Sequence, residues 1–152
     1  MKIEKSIKQK RFKSPHQKLM INILFTANWL DGIIRKLLSQ YKITHIQFNI
    51  LRILAGTYPK PLCAGDIKEV MVFRNSDTTR LVDRLELKGL VSRIISPDNR
   101  RKMDIKITEE GLKLLEKINP KIEDIQRDYF EAKLSSDEAV YINDKLDFLR
   151  SI

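Results

Sequence analysis

Two short stretches of the sequence concentrate side chains that can bind a polyanion. The first is Ser96–Lys102, SPDNRRK, in which the turn formers Pro, Asp and Asn are followed at once by two arginines and a lysine. The second is Asn75–Arg80, NSDTTR, an almost wholly polar run that ends in a guanidinium. Hydroxyl, amide and guanidinium groups donate hydrogen bonds to phosphate oxygens and base edges. Both stretches could therefore serve nucleic-acid recognition.

Residues on either side of the first stretch predict a β-hairpin. Leu90–Ile95 and Met103–Thr108 are short runs rich in β-branched residues, and apolar and charged residues alternate along the second run. Two such runs joined by a Pro/Asp/Asn loop are typical of an antiparallel hairpin with an exposed tip. The basic residues would lie at that tip.

Capping signals and apolar spacing predict helices over most of the remaining chain. The expected helices are about 14–40, Thr44–Gly56, Ala64–Met71, Asn75–Lys88, a long one that begins at Thr108 and includes Tyr129, and a last one that begins at Ser135. Pro120 falls inside the long helix. A kink or a break is expected there, because proline lacks an N–H and its ring clashes with the preceding turn.

A short helix, a turn, a second helix and a hairpin follow one another in the order of a winged helix-turn-helix. In that fold the second helix enters the DNA major groove and the hairpin is the wing. We therefore expect a mostly α protein with a small β-hairpin wing, in which residues 44–108 form a DNA-binding lobe. The first turn of the 75–88 helix would face DNA, with Leu81, Val82 and Leu85 anchoring its other face.

The distribution of charge agrees with a polyanion partner. The 152-residue chain has a net charge of +9. Residues 1–20 carry seven Lys/Arg against one Glu, residues 60–106 carry eleven basic against seven acidic side chains, and residues 107–152 are net acidic. Charge alone is more often the mark of a merely soluble protein than of a nucleic-acid partner. The basic leader, residues 2–13, is either an arm that touches phosphate or a tail that becomes ordered in a dimer.

Several classes of protein are disfavoured. No apolar run approaches the roughly 20 residues of a membrane span, and no signal peptide is evident. One cysteine excludes an internal disulfide, and two distant histidines argue against a zinc site. No nucleophile and base pair, glycine-rich phosphate loop or metal-spaced cluster indicates an enzyme. We expect a cytoplasmic single domain, residues 1–152, without cofactor, metal or membrane partner.

Two longer segments resemble a known family. Thr78–Gly111, TTRLVDRLELKGLVSRIISPDNRRKMDIKITEEG, resembles the signature segment of MarR-type (multiple antibiotic resistance regulator) winged-helix transcription factors, and Ile43–Gly56, ITHIQFNILRILAG, is similar to an upstream helix of that family. The resemblance covers nearly the whole chain. It implies a homodimeric DNA-binding regulator, usually a repressor, in which helices 14–40 and 109–152 form the dimer interface. It also implies that a small molecule or thiol oxidation relieves DNA binding.

The resemblance assigns roles to residues of the wing and its first strand. The family's wing aspartate falls at Asp98 and its groove-inserting arginine at Arg100, and the carboxylate can brace the guanidinium. Either Arg100 or Arg101 would enter the minor groove, while Lys102 approaches a phosphate. Arg93 matches a frequently basic family position and is expected at a phosphate.

Some candidate residues keep two interpretations. Arg84 either contacts DNA or forms an intrahelical ion pair. The expected DNA-binding residues are Asn75, Ser76, Asp77, Thr78, Thr79, Arg80, Arg84, Arg93, Asp98, Arg100, Arg101 and Lys102. Phe25, Trp29 and Phe48 either belong to the core or line the small-molecule pocket that related proteins have between the dimer helices and the DNA-binding lobe. We interpret Cys63 as a structural residue, because the sensing cysteine of some relatives lies near the start of the first helix.

Apolar stripes on the terminal helices predict a homodimer, since a small DNA-binding lobe cannot cover them. Two-fold symmetry then requires a pseudo-palindromic operator. The alternative function is a winged-helix module for protein interaction. Such a module has no need for a polar helix start and a doubly basic wing on one face, and its binding would lack a steep dependence on salt.

Overall fold

A computed structural model describes residues 2–73, 76–96 and 103–151, and in these ranges the chain is mostly helical with one small antiparallel sheet. This confirms the expected fold class. In chain order the elements are α1 (Ile3–Ser6), α2 (Pro15–Ser39), α3 (His45–Gly56), β1 (Leu62–Cys63), α4 (Ala64–Val70), α5 (Thr78–Leu87), β2 (Val91–Ile95), β3 (Met103–Ile107), α6 (Glu109–Gln126), a π-helical segment (Arg127–Glu131) and α7 (Ser136–Arg150). None of the described helices combines the length and the apolar character needed to cross a membrane.

Side-chain caps begin the helices where the sequence predicts them. In four residues the side-chain oxygen accepts the backbone N–H of the residue three positions later, at 3.1 to 3.3 Å: Ser14, Thr44, Thr108 and Ser135. Each cap satisfies one of the N–H groups that a helix start leaves without an intrahelical partner. These local contacts therefore set the beginnings of α2, α3, α6 and α7.

The helix expected over 75–88 begins later than the sequence suggests. The carboxylate of Asp77 accepts the N–H of Arg80 at 3.2 Å, so Asp77 is the N-cap and Thr78 the first helical residue. Several consecutive cap-forming residues precede this helix, and propensity alone does not select among them. The helix ends as predicted at Gly89, whose φ of +69° suits glycine.

The long helix after the sheet does not break at Pro120. The assigned α6 runs without interruption from Glu109 to Gln126, past the proline. Of the expected kink or break, the break is therefore absent, because one missing backbone donor does not stop this helix, and the kink stays a prediction. The irregularity comes later, at Arg127–Glu131, where the N–H of Ala132 donates to the carbonyl of Arg127 at 2.9 Å across five residues.

The three strands form an antiparallel sheet in the order β1-β3-β2. The predicted hairpin pairs Val91 with Ile107 and Ile95 with Met103. Strand β1, which the sequence does not predict, pairs Leu62 with Ile105 on the other side of β3. Two residues are too short a run to show the alternation that identifies a strand.

The described chain divides into two compact units, residues 1–49 and 50–152. In the first unit, Asp31 of α2 is bonded to the first residue of α3. Its Oδ1 lies 2.7 Å from Nδ1 of His45, and its other oxygen pairs with Arg35. The His45 hydrogen bond, helped by Arg35, lowers the pKa of Asp31 below its ordinary value.

The second unit has an apolar core made by α3, α4, α5, the sheet and α6. Its fully buried side chains include Ile50, Leu51, Leu54, Ile67, Val82, Leu85, Ile105 and Ile118. At one edge of this core, the Thr108 hydroxyl donates to the carbonyl of Gly89 at 2.7 Å while it caps α6. The end of α5 and the start of α6 are thus joined through one side chain.

Gly111 lies where these elements approach most closely. A Cβ at this position would stand 2.4 Å from the carbonyl oxygen of Leu90 and 2.6 Å from Ile107. The Leu90 oxygen belongs to the backbone and can yield only if the turn moves, and the Ile107 side chain would have to change its conformation. Gly65 in α4 is a matched glycine with room, because a Cβ there would meet only the Cys63 sulfur at 3.6 Å.

Gly111→Ala should therefore lower the free energy of unfolding, by about 1–3 kcal/mol if the clash resembles other overpacked sites. Gly65→Ala should leave stability unchanged or raise it by up to about 1 kcal/mol, since alanine favours helix. Urea unfolding followed by circular dichroism measures both. Equal stability of the two variants would show that the approach at Gly111 is not tight.

Candidate nucleic-acid interface

The solvent face of α5 carries the exposed polar and basic residues of the predicted DNA-contacting helix. Thr79, Arg80 and Arg84 are exposed, whereas Val82 and Leu85 are fully buried on the opposite face. The Nε of Arg80 lies 3.2 Å from the Asp77 carboxylate. The segregation of apolar and polar residues leaves an exposed polar surface that carries the guanidinium groups of Arg80 and Arg84.

Arg84 makes no ion pair with any residue that the structure describes. The intrahelical pair considered as its alternative role is absent from these contacts. The Arg84 side chain is exposed.

Thr78 differs from its neighbours, because it is buried at 6% exposure. Its hydroxyl donates to the sulfur of Met71 at 3.7 Å. Ser76 is half-buried, Asp77 caps the helix, and Asn75 lies outside the described residues. Of the six predicted residues from 75 to 80, Thr79 and Arg80 are thus the exposed pair within the helix itself.

Arg93 in β2 forms a network with three groups of α5. Its Nη2 lies 2.6 Å from the Asp83 carboxylate and donates to the carbonyl of Thr79 at 3.2 Å, and its Nη1 lies 3.6 Å from Glu86. Only 21% of the Arg93 side chain is exposed. A guanidinium can serve several acceptors at once because its five donors have a fixed planar geometry.

This network gives Arg93 partners that the sequence does not predict, since its donors face the carboxylates of Asp83 and Glu86. The expected contact of Arg93 with a phosphate stays a prediction. The arginine therefore joins the wing to the recognition face of α5 from within the protein. The sequence could have shown that Asp83 and Glu86 share a helix face, but not that Arg93 reaches them.

The wing strands bring Ile95 and Met103 into register at the two ends of the predicted tip. Ser96, the first residue of the tip sequence, is buried at 8% exposure. The predicted contacts Asp98, Arg100, Arg101 and Lys102 lie outside the described residues.

Cys63 lies at the start of α4, in a groove of about 590 Å³ whose lining also includes Asp66, Glu69 and Arg93. Its sulfur accepts the N–H of Asp66 at 3.5 Å, and the Asp66 carboxylate accepts the N–H of Cys63 at 3.1 Å. These reciprocal bonds form a capping box, in which the thiol takes the place that serine or threonine usually fills. Cys63 therefore has a structural role as the N-cap of α4.

The three aromatic residues considered for a ligand pocket separate into two groups. Phe25 and Trp29 line a cavity of about 470 Å³ within the first unit, together with Ile3, Ser6, Asn22 and Thr26. Phe48 is buried at 4% exposure and is not part of that lining.

The chain resembles known proteins in both sequence and fold. Residues 43–103 match the sequence profile of the MarR family. The chain is 30% identical over 141 residues to the HTH-type transcriptional regulator FarR of Neisseria gonorrhoeae, and this match covers 91% of the chain and 93% of FarR. The chain belongs to the MarR family.

Solved structures agree with this family assignment. The MarR transcription factor from Planctomyces limnophilus has a TM-score of 0.68 at 28% identity, over 91% of this chain and 99% of that one. The S. aureus MepR structure in complex with DNA has a TM-score of 0.77 at 20% identity, over 86% and 94% of the two chains. The latter identity supports likeness of fold alone. In this MarR-family chain, α4 and α5 form the helix-turn-helix and β2 and β3 the wing.

Arg93→Ala should destabilise the protein, because it leaves Asp83 and Glu86 facing each other without a cation. The expected loss is about 1–3 kcal/mol, the range for half-buried hydrogen bonds to charged groups. Arg84→Ala removes the same type of side chain from the same region without breaking a described ion pair, and it should change stability by at most about 0.5 kcal/mol. The urea concentration at the midpoint of unfolding, measured at fixed protein concentration, tests this prediction. Similar midpoints for the two variants would contradict the network.

Cys63→Ser should preserve the α4 cap and leave the free energy of unfolding unchanged or higher, whereas Cys63→Ala should lower it by about 1 kcal/mol. Mild peroxide should not alter the DNA affinity of either the wild type or Cys63→Ser. Fluorescence titration with and without peroxide tests this point. Loss of DNA binding in the oxidised wild type alone would make the thiol a sensor.

Proposed function

We propose that the chain is a homodimeric, sequence-specific DNA-binding transcription repressor of the cytoplasm, relieved by a small molecule. The observation that carries the DNA-binding part is the solvent face of α5, where Thr79, Arg80 and Arg84 are exposed beside the wing. This face would enter the major groove, and the 96–102 wing tip would reach the adjacent minor groove and backbone. FarR, which matches most of the chain, is named as a transcriptional regulator.

Exposed apolar side chains in both units support the homodimer. In α2, Met20 and Leu24 are 57% and 65% exposed, and in α7, Phe148 and Leu149 are 76% and 60% exposed. Large apolar side chains grouped on one helix are seldom left in water. A second copy would cover them, and two-fold symmetry would set the half-site centres of the operator about 10 base pairs apart, or a multiple of that.

The cavity lined by Phe25 and Trp29 supports an effector site. Its volume of about 470 Å³ lies in the range of small-molecule pockets. Apolar and aromatic walls occur there beside the hydroxyl and amide groups of Ser6, Asn22 and Thr26. Such a lining suits a compact, mainly apolar molecule with a few hydrogen-bonding groups.

Sequencing of genomic fragments retained by the purified protein should yield a pseudo-palindromic site, which then serves for titrations. Arg80→Ala and Thr79→Ala should relax base preference within each half-site, at a cost of about 1–3 kcal/mol for a good base contact. Arg100→Ala should reduce the preference for A·T pairs beside the major-groove contacts, and Arg101→Ala should weaken all duplexes alike. Light scattering should give a dimer at micromolar concentration.

Two outcomes would overturn the proposal. A stable monomer at micromolar concentration excludes the homodimer. Wild-type affinity and salt dependence in the Arg80, Arg100 and Arg101 variants together would exclude DNA contact by this face, and a winged-helix protein-interaction module would then be the better explanation.

A further inference from the structure

The basic leader, residues 2–13, forms one wall of the cavity of about 470 Å³ in the first unit. Helix α1 of the leader supplies Ile3 and Ser6 to the lining, and the other lining residues belong to α2: Asn22, Phe25, Thr26 and Trp29. At about 100° per residue, these four lie within an arc of about 100° on one side of α2. The leader is therefore part of a site.

Few contacts hold α1 against α2. The Ile3 side chain is buried at 5% exposure, and Oε1 of Glu4 lies 2.5 Å from Nζ of Lys18. Lys18 lies one turn before Asn22, on the side of α2 that lines the cavity. A segment held by so few contacts has a low local stability, so it can leave its position without unfolding of the whole protein.

The backbone that follows α1 has the features of a hinge. Lys8 has a φ of +55°, in the left-handed region that residues other than glycine seldom adopt. Helix α2 has its own N-cap in Ser14, whose hydroxyl oxygen accepts the N–H of Gln17 at 3.1 Å. The start of α2 therefore does not depend on α1, and the leader can swing about the region of Lys8.

The charges around the cavity favour an uncharged ligand. All lining residues among those that the structure describes are uncharged, and the adjacent Glu4 and Lys18 neutralise each other. A charged ligand would lose hydration there without gaining a buried counter-ion. The hydroxyl and amide groups of Ser6, Asn22 and Thr26 can instead bond to a hydroxyl, carbonyl or N–H group of a neutral molecule.

We propose that the leader is a hinged lid that closes α1 over an uncharged small molecule in this cavity. The inference rests on the proposed effector site and deepens it, because it names the class of ligand and the segment that moves. A ligand that touches both Ile3 and Phe25 binds more tightly when α1 is docked, so it must shift the leader toward the docked position.

The proposed homodimer leaves this lid free to move. Met20 and Leu24, which a second copy would cover, lie on the opposite side of α2 from the cavity at about 100° per residue. The same helix can therefore serve the dimer with one face and the ligand with the other.

Two fluorescent probes test the class of ligand. N-phenylnaphthylamine is an uncharged aromatic amine with one N–H, and anilinonaphthalene sulfonate adds a negative charge to the same framework. Trp29 is the one tryptophan of the chain and lines the cavity, so quenching of its emission reports on binding. The uncharged probe should bind about tenfold more tightly or better, because the sulfonate must give up hydration.

Trypsin tests the movement of the lid, because the leader contains cleavage sites at Lys8, Lys10, Arg11 and Lys13. Cleavage requires the undocked leader, and its rate follows the undocked population. N-phenylnaphthylamine at about ten times its dissociation constant should slow cleavage by about tenfold if it binds only the docked state. Mass spectrometry of the full-length protein measures the rate at each site.

Variants of α1 should act in proportion to the contacts they remove. Ile3→Asp should leave the leader undocked, with fast cleavage that the probe does not slow, because a charge replaces a buried apolar side chain. Glu4→Gln should speed cleavage by a factor of about 1.5 to 5, the range for one partly exposed ion pair. Asp147→Asn is the matched control, since it breaks the ion pair to Arg150 in α7 and should change neither the cleavage rate nor the probe affinity.

The outcomes separate this inference from the proposed DNA-binding function. Absence of N-phenylnaphthylamine binding, tighter binding of the sulfonate, or equal cleavage and protection in the wild type and Ile3→Asp would each overturn the lid. Circular dichroism that is unchanged in Ile3→Asp shows that the effect is confined to the leader. None of these measurements uses DNA, so a wild type that binds no duplex would overturn the proposed function and not this inference.

Discussion

The arrangement of the winged lobe depends on the ion-pair network of Arg93. Its guanidinium bonds to α5 at Thr79, Asp83 and Glu86, positions that span about two turns of one helix face. The covalent connection between α5 and β2 is a turn of only a few residues around Gly89. Such a turn constrains the distance between helix and strand but leaves the angle open. The Arg93 guanidinium, 21% exposed, adds three contacts between strand and helix that favour one angle, and the side chains of Asp83 and Glu86 remain 47% and 41% exposed.

The same network explains how a protein with acidic residues near its recognition helix can still attract DNA. Asp83 and Glu86 face the wing strand, where the arginine neutralises them, and Asp77 is used to cap α5 and to bond Arg80. These carboxylates are thus paired with arginines of the lobe, while Arg84 is exposed and forms no ion pair with any described residue. Net charge alone does not reveal this separation, because it arises from which side each residue occupies.

Features that depend on neighbours in the chain could be predicted from the sequence. Helix starts at Ser14, Thr44, Thr108 and Ser135 follow from side chains that reach a backbone N–H three residues on, and the wing follows from two alternating runs joined by turn formers. For the same reason the order of elements was sufficient to predict a winged helix-turn-helix.

Features that depend on distant residues could not be predicted from the sequence. The Thr78 hydroxyl is a group that can bond to a base, but in the fold Thr78 is buried beside Met71. The Arg93 guanidinium is a group that can bind a phosphate, but in the structure it pairs with Asp83 and Glu86 of α5. Strand β1 exists because β3 offers an edge, and its two residues carry no pattern of their own. In each case a residue distant in the sequence determines the surroundings of the side chain or strand.

The Thr108 hydroxyl couples the end of α5 to the start of α6. It holds the carbonyl of Gly89 at the end of α5 and the N–H of Gly111 at the start of α6, so the two helices meet at a pivot. With 18 residues, α6 is about 27 Å long, so a 1 Å sideways displacement of its far end corresponds to a rotation of about 2° at the pivot. If α5 follows that rotation rigidly, its first turn moves by about 0.5 Å over its length of about 15 Å. A displacement of a few Å at the far end of α6 would then carry Thr79 and Arg80 beyond the narrow range of distances in which hydrogen bonds to base edges form.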